Sequence, residues 1–113
     1  MKVKVYNCPV EAAIDVIGGK WKPLILWWLH QDTHRFAELR RKMPGITEKM
    51  LTQQLRELEA DGIVQRQVYP TVPPKVEYSL TEYGDSLKHA LKAMCDWGRE
   101  HMKRINAVEV SPV

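Results

Sequence analysis

Pro44-Gly45-Ile46-Thr47-Glu48-Lys49-Met50-Leu51-Thr52-Gln53-Gln54-Leu55-Arg56-Glu57-Leu58 is the stretch on which the reading of this chain turns. Pro-Gly is a strong turn signal. Thr47 then suits an N-cap, with Ile46 and Leu51 at the N′ and N4 positions of a hydrophobic staple. Leu51, Leu55 and Leu58 form the buried stripe of a helix running from Thr47 toward Asp61, and Gly62 fits its C-terminal end. The other face of that helix carries Thr47, Lys49, Thr52, Gln53 and Arg56.

Upstream, Phe36 to Met43 places Phe36, Leu39 and Met43 on one helical face, with Arg35, Arg40, Arg41 and Lys42 around the other. Downstream the period changes. Ile63 to Val72 is a β-rich run, Pro73-Pro74 prevents regular pairing across a tip, and Lys75 to Leu80 alternates as a returning strand. Two short helices joined by a tight turn and followed by a hairpin make a winged helix-turn-helix.

The ends add helices. Cys8-Pro9 reads as a helix start, since Pro at the first helical position loses only an N–H that had no partner. Val10, Ala13, Ile14 and Ile17 follow at helical spacing, and Gly18-Gly19 ends the segment. Trp21 to His30 is rich in bulky apolar residues and is expected to be buried on more than one side. Gln31-Asp32-Thr33 breaks it. After the hairpin, Thr81 is expected to cap one long helix carrying Leu87, Leu91, Met94, Trp97, Met102 and Ile105, before a frayed tail from Glu109 to Val113. The predicted class is mainly α with a β-hairpin.

The chain has 113 residues, 44% hydrophobic and 27% charged, with a formal net charge of +3. That is one ordinary globular domain, too small for a two-domain enzyme or a Rossmann domain with a partner. The charge is uneven. Residues 34–75 hold eight Lys/Arg against five acids, while residues 1–33 hold four against three and residues 76–113 five against six. A polyanion is therefore expected to meet the middle third. No stretch approaches a membrane span, and the N-terminus lacks the apolar run of a secretory signal. Cys8 and Cys95 form no CxxC, and a reducing cytoplasm is the expected compartment.

The polar face after Thr47 has the side chains that direct readout uses. Gln reads adenine, Arg reads guanine, and Thr donates to phosphate or touches a thymine methyl. Lys49, in the first turn, suits a phosphate. The same pattern also describes an amphipathic surface helix whose polar side is merely solvated. Arg40, Arg41 and Lys42 form the densest basic cluster, either approaching the DNA backbone or paired with Glu38 and nearby acids. Lys75, at the hairpin tip, could lie along a minor groove, or the prolines there could simply close a hairpin.

Several linked runs are similar to a known family. Cys8-Pro9-Val10-Glu11, Ile17-Gly18-Gly19-Lys20-Trp21-Lys22-Pro23-Leu24-Ile25-Leu26, Arg35-Phe36-Ala37-Glu38-Leu39, Gly45 to Leu58 and Val72 to Thr81 together resemble HxlR-type bacterial transcription regulators over about residues 8–104. The resemblance implies a MarR-like winged-helix homodimer, a repressor or activator on pseudo-palindromic operator DNA, with N- and C-terminal dimerisation helices. It implies a single domain at 8–104, an extension at 1–7 and a tail at 105–113. Arg35, Arg40, Thr47, Lys49, Thr52, Gln53, Arg56 and Lys75 are the expected DNA contacts. Val10, Ile14, Leu91, Met94, Trp97 and Met102 are the expected dimer contacts, although some of them must complete the core of one chain. Several members sense electrophiles or oxidants through a Cys matching Cys8. A thiol at a helix start is favoured as thiolate by the helix dipole, and the same position also suits an inert, half-buried Cys.

Neither a cofactor nor a metal is expected. His30 and His34 are separated by the polar break, while His89 and His101 stand alone. Cys95 is expected to be buried. Trp21, Trp27, Trp28 and Trp97 suit core or interface anchors, and a small electrophile or an aromatic compound is the candidate effector. No nucleophile–base pair, carboxylate pair or phosphate loop stands at a working spacing, so an enzyme is not expected. The remaining rival is a winged-helix protein–protein module without DNA binding, which predicts a neutral recognition face.

Overall fold

A computed structural model describes residues 3–110, and the parts of the expected extension and tail at 1–2 and 111–113 lie outside it. The elements are α1 (Pro9–Ile17), α2 (Trp21–Gln31), α3 (Phe36–Lys42), α4 (Glu48–Ala60), β1 (Val64–Tyr69), β2 (Lys75–Leu80), α5 (Glu82–Asp85) and α6 (Lys88–Arg104). This is the expected winged helix-turn-helix. Between α3 and α4, Gly45 takes φ +94°, a left-handed turn that costs little only for glycine. Thr47 caps α4 as its spacing predicts: Oγ1 accepts from the Met50 amide at 3.1 Å.

The core forms where the apolar stripes meet. Ile25, Leu26 and Leu29 of α2 face Leu51, Leu55 and Leu58 of α4, and Leu39, Met43 and Ile46 close the end nearest the turn. Each of these side chains contributes about 1.5–3 kcal/mol on leaving water. The hairpin is antiparallel, with Val64 opposite Leu80 and Tyr69 opposite Lys75. Only Val64 of β1 is buried, so the strand stands out as a wing. It ends at Tyr69, short of the expected Val72, because Pro70 has no amide to continue the ladder.

β2 is bonded on both edges. Against its free edge, His34 and Tyr78 exchange amide bonds of 3.0 and 2.8 Å, forming an isolated antiparallel bridge. The His34 ring is also buried. Its Nδ1 donates to the Asp32 carbonyl at 2.7 Å, which leaves Nε2 to accept from Lys42 Nζ at 2.8 Å. That ammonium also sits 4.8 Å from the Trp28 ring centroid.

Two further expectations, both after the hairpin, need correction here. The long helix after Thr81 is in fact two helices. Thr81 Oγ1 accepts from the Gly84 amide at 2.9 Å, capping α5, and the amides of Ser86 and Leu87 then bond three residues back rather than four. Ser86 Oγ also bonds the Tyr83 carbonyl, competing with regular helical pairing. The break lets Gly84 lie flat on the end of the hairpin, where an added Cβ would come 2.1 Å from the Ile63 carbonyl oxygen. Leu91, expected at a dimer interface, is 5% exposed and belongs to the core of the single chain.

Gly84→Ala is expected to destabilise the domain by about 1–3 kcal/mol through forced separation of α5 from Ile63. Thermal melting measures this. A melting temperature equal to wild type would show that the junction is looser than this contact requires.

Candidate nucleic-acid interface

Helix α4 has two unlike sides. Leu51, Leu55 and Leu58 are at most 1% exposed, whereas Lys49, Gln53 and Arg56 are exposed and Thr52 is half-exposed. At about 100° per residue, Lys49, Thr52, Gln53 and Arg56 fall within an arc of roughly 100°. They line one open concavity with Glu48, Glu57 and Ala60. Among the described residues, no other element lines that concavity. The sequence grouping of these four residues therefore corresponds to one continuous surface.

Two carboxylates flank that surface and would oppose an anion. Each is matched by a cation from another helix. Lys22 of α2, whose side chain is largely buried, reaches Glu57 at 3.3 Å, and Arg40 of α3 reaches Glu48 at 3.7 Å. Arg40 thus stands at the head of α4, paired with Glu48 rather than with Glu38. Glu38 instead accepts from the Arg35 amide at 2.7 Å at the start of α3. That bond, more than the surrounding cations, lowers its pKa. The helix dipole adds positive potential at the exposed first turn of α4, beside Thr47 and Lys49.

The other expected contacts are dispersed. Arg35 lines a separate shallow concavity with Arg41, Glu38 and Glu77. Lys75 begins β2, paired with Glu77 at 3.4 Å and lying 5.1 Å from the Tyr69 ring centroid. Lys42, counted from the sequence within the basic cluster, turns back onto His34 and Trp28 and serves the fold. Sequence reasoning missed Lys22 and also Arg66, which reaches Glu59 at 3.7 Å from β1. Neither stands in a basic run. The pairing of Lys22 with Glu57 spans 35 residues, so no local signal could reveal it.

The ends of the chain present a different surface. Val10 and Ile14 of α1 are 65% and 60% exposed, and Met94 and Trp97 of α6 are 50% and 71% exposed. Met102 is half-buried. Trp97 stacks on His101 with ring centroids 5.2 Å apart. Cys8 is exposed at the N-cap of α1, and its side chain makes no capping bond. Cys95, expected to be buried, is half-exposed. Among the described residues, no helix is long and apolar enough to cross a membrane, and no three His, Cys, Asp or Glu side chains gather as metal ligands.

The profile of the HxlR-like helix-turn-helix family matches residues 16–106. Over 105 residues the chain is 58% identical to the uncharacterized HTH-type transcriptional regulator YtcD of Bacillus subtilis strain 168, covering 93% of this chain and 83% of that one. The redox regulator HypR in its reduced form superposes with a TM-score of 0.83 at 52% identity, covering 88% of this chain and 98% of that one. Its oxidised form gives 0.79 at 57% identity, covering 82% and 96%. A MarR-family transcriptional regulator from Porphyromonas gingivalis W83 gives 0.79 at 37% identity, covering 88% and 98%. YtcD and the Porphyromonas gingivalis protein are transcription regulators rather than enzymes, and HypR is a redox regulator.

Proposed function

Because the chain belongs to the HxlR-like helix-turn-helix family of transcription regulators, we propose that it works as a homodimer on a pseudo-palindromic operator in double-stranded DNA and responds to oxidants or small electrophiles. The working unit is residues 8–104, with 1–7 as an extension and 105–113 as a tail. Chromosomal DNA puts that work in the cytoplasm.

The observation that carries this reading is the uncovered polar face of α4, with both flanking carboxylates held by cations from α2 and α3. In the major groove, Gln53 and Arg56 face base edges, Thr52 offers its methyl and hydroxyl, and Thr47 and Lys49 meet phosphate at the helix N-terminus. Arg40 exchanges an exposed ion pair, worth at most about 1 kcal/mol, for a backbone phosphate. Arg35 and Lys75 contact the backbone on either side, which fixes register without reading sequence. A protein–protein module would not need this cationic face.

The exposed apolar groups of α1 and α6 support dimerisation. Val10, Ile14, Met94 and Trp97 give water more large apolar side chain than a small monomer ordinarily does. Pairing two copies through them, with Met102 at the margin, sets two α4 helices for half-sites about 34–36 Å apart. Cys8 stands two residues before Val10, so a group added to its thiol lands beside that seam. The likeness to HypR, whose oxidised and reduced forms are both known, supports a redox response.

Arg56→Ala is expected to cost about 1–3 kcal/mol on the preferred site and to relax preference at one base pair. Lys75→Ala should weaken all sequences about equally and flatten the salt slope by roughly one unit. Selection from a random DNA pool, followed by salt titration, reads both effects, and unchanged values remove the residue from the interface. Trp97→Asp should raise the dimer dissociation constant at least about tenfold by sedimentation, since a buried aromatic anchor commonly carries more than that. A wild-type dimer in this variant would move the seam elsewhere. Cys8→Ser should abolish oxidant-induced release from DNA. Release that persists would assign sensing to another group.

A further inference from the structure

Between the C-terminal end of α2 and the Lys88 to Arg99 part of α6 lies a groove of about 470 Å³, within the range of small-ligand sites. It lies away from both the DNA-reading face and the exposed apolar seam. Half-buried Trp27 and Cys95 form its floor, and its rim carries Lys88, Lys92 and Arg99. The acids nearby are outnumbered. Asp96 is shared by Lys92 at 3.2 Å and Arg99 at 3.9 Å, while Asp85 takes Lys88 at 3.6 Å and His30 at 3.7 Å. These ion pairs are solvent-exposed and weak, so an incoming anion can displace them.

A carboxylate already docks at this rim. After α6 the chain turns through Asn106 at φ +58°, held by a bond of 2.9 Å from the Ala107 amide to the Met102 carbonyl. The turn brings Glu109 back to Arg99, 3.7 Å from Oε1 to Nε. The Arg99 guanidinium also donates to Cys95 Sγ at 3.5 Å, which aims it into the groove. We propose that this groove binds a small organic carboxylate, with its charge on Arg99 and Lys92 and its flat apolar body against Trp27, in competition with Glu109. An inorganic anion would satisfy the rim and leave the indole unused, so the pairing of cations with an aromatic wall selects an organic body. The groove gives the proposed regulator a second, non-covalent effector site, distinct from the thiol of Cys8. Only its consequence for DNA rests on that reading, because α2 leads through the bridged His34 into the helix-turn-helix.

Cys95 makes the site testable without DNA. In Cys8→Ser protein, benzoate is the probe and inorganic phosphate at equal ionic strength is the comparison. The readout is the rate at which iodoacetamide alkylates Cys95. Benzoate is expected to protect Cys95 saturably. Arg99→Gln should weaken that protection about tenfold, as expected for losing a charge-assisted hydrogen bond. Glu109→Gln should strengthen it by removing the competitor. Failure of benzoate to protect, equal affinity in Arg99→Gln, equal protection by phosphate, or no gain in Glu109→Gln would overturn the proposal. If protection is found while benzoate leaves the affinity for DNA unchanged, the groove stands and only its role in regulation falls.

Discussion

Strand β2 is paired on both edges, and the position of the reading surface depends on that pairing. One edge carries β1, which forms the wing. The other carries His34, which belongs to the link between α2 and α3. The helix-turn-helix and the wing are therefore parts of one hydrogen-bonded unit rather than neighbours in contact. The His34 ring strengthens the join, since its two nitrogens tie the Asp32 carbonyl and Lys42 to the same point. At the far end of the hairpin, the Thr81 amide donates to the Ile63 carbonyl at 3.0 Å, and Gly84 packs against that same carbonyl. A substitution at this end would tilt the wing relative to α4 without touching either.

Electrostatics at α4 follow the same economy. From Glu48 to its C-cap the helix carries four acidic side chains, Glu48, Glu57, Glu59 and Asp61, against two cations, Lys49 and Arg56. A count along the helix alone would make it a poor partner for a polyanion. Lys22, Arg40 and Arg66 reverse that balance, each reaching one of those glutamates from a different element. The cationic character of the surface is a tertiary property. Of the two pairs that flank the proposed reading face, Arg40–Glu48 is the more exposed and the more open to exchange with phosphate.

Local signals revealed most of this fold. Pro44-Gly45, the Thr47 cap and the leucine stripe each act within one or two turns of helix, and the structure has all three where the spacing puts them. The grouping of Lys49, Thr52, Gln53 and Arg56 was legible for the same reason, because helical periodicity alone brings them together. The break between α5 and α6 was not, since it depends on Gly84 meeting Ile63, a contact made across the hairpin. Leu91 was misplaced because an apolar residue on an amphipathic helix looks the same whether its own chain or another covers it. Lys42 could not be told from Arg40 and Arg41, because a basic run gives no sign of which member folds back onto an indole.

Helix α6 joins the surfaces that remain. Within about two turns it gives Leu91 to the core, Met94 and Trp97 to the exposed apolar face, and Cys95 and Arg99 to the groove beside α2. A helix of 17 residues moves as a rod, so a ligand that shifts α6 against α2 also shifts the apolar face against the helix-turn-helix. Cys8 stands beside the exposed apolar side chains of α1, at the other end of the chain. In the proposed dimer, a modification at the thiol and an anion in the groove would both act on one mechanical variable, the angle between the paired helices and the body that carries α4. Two chemically unlike signals can then share one output without a dedicated connection between their sites.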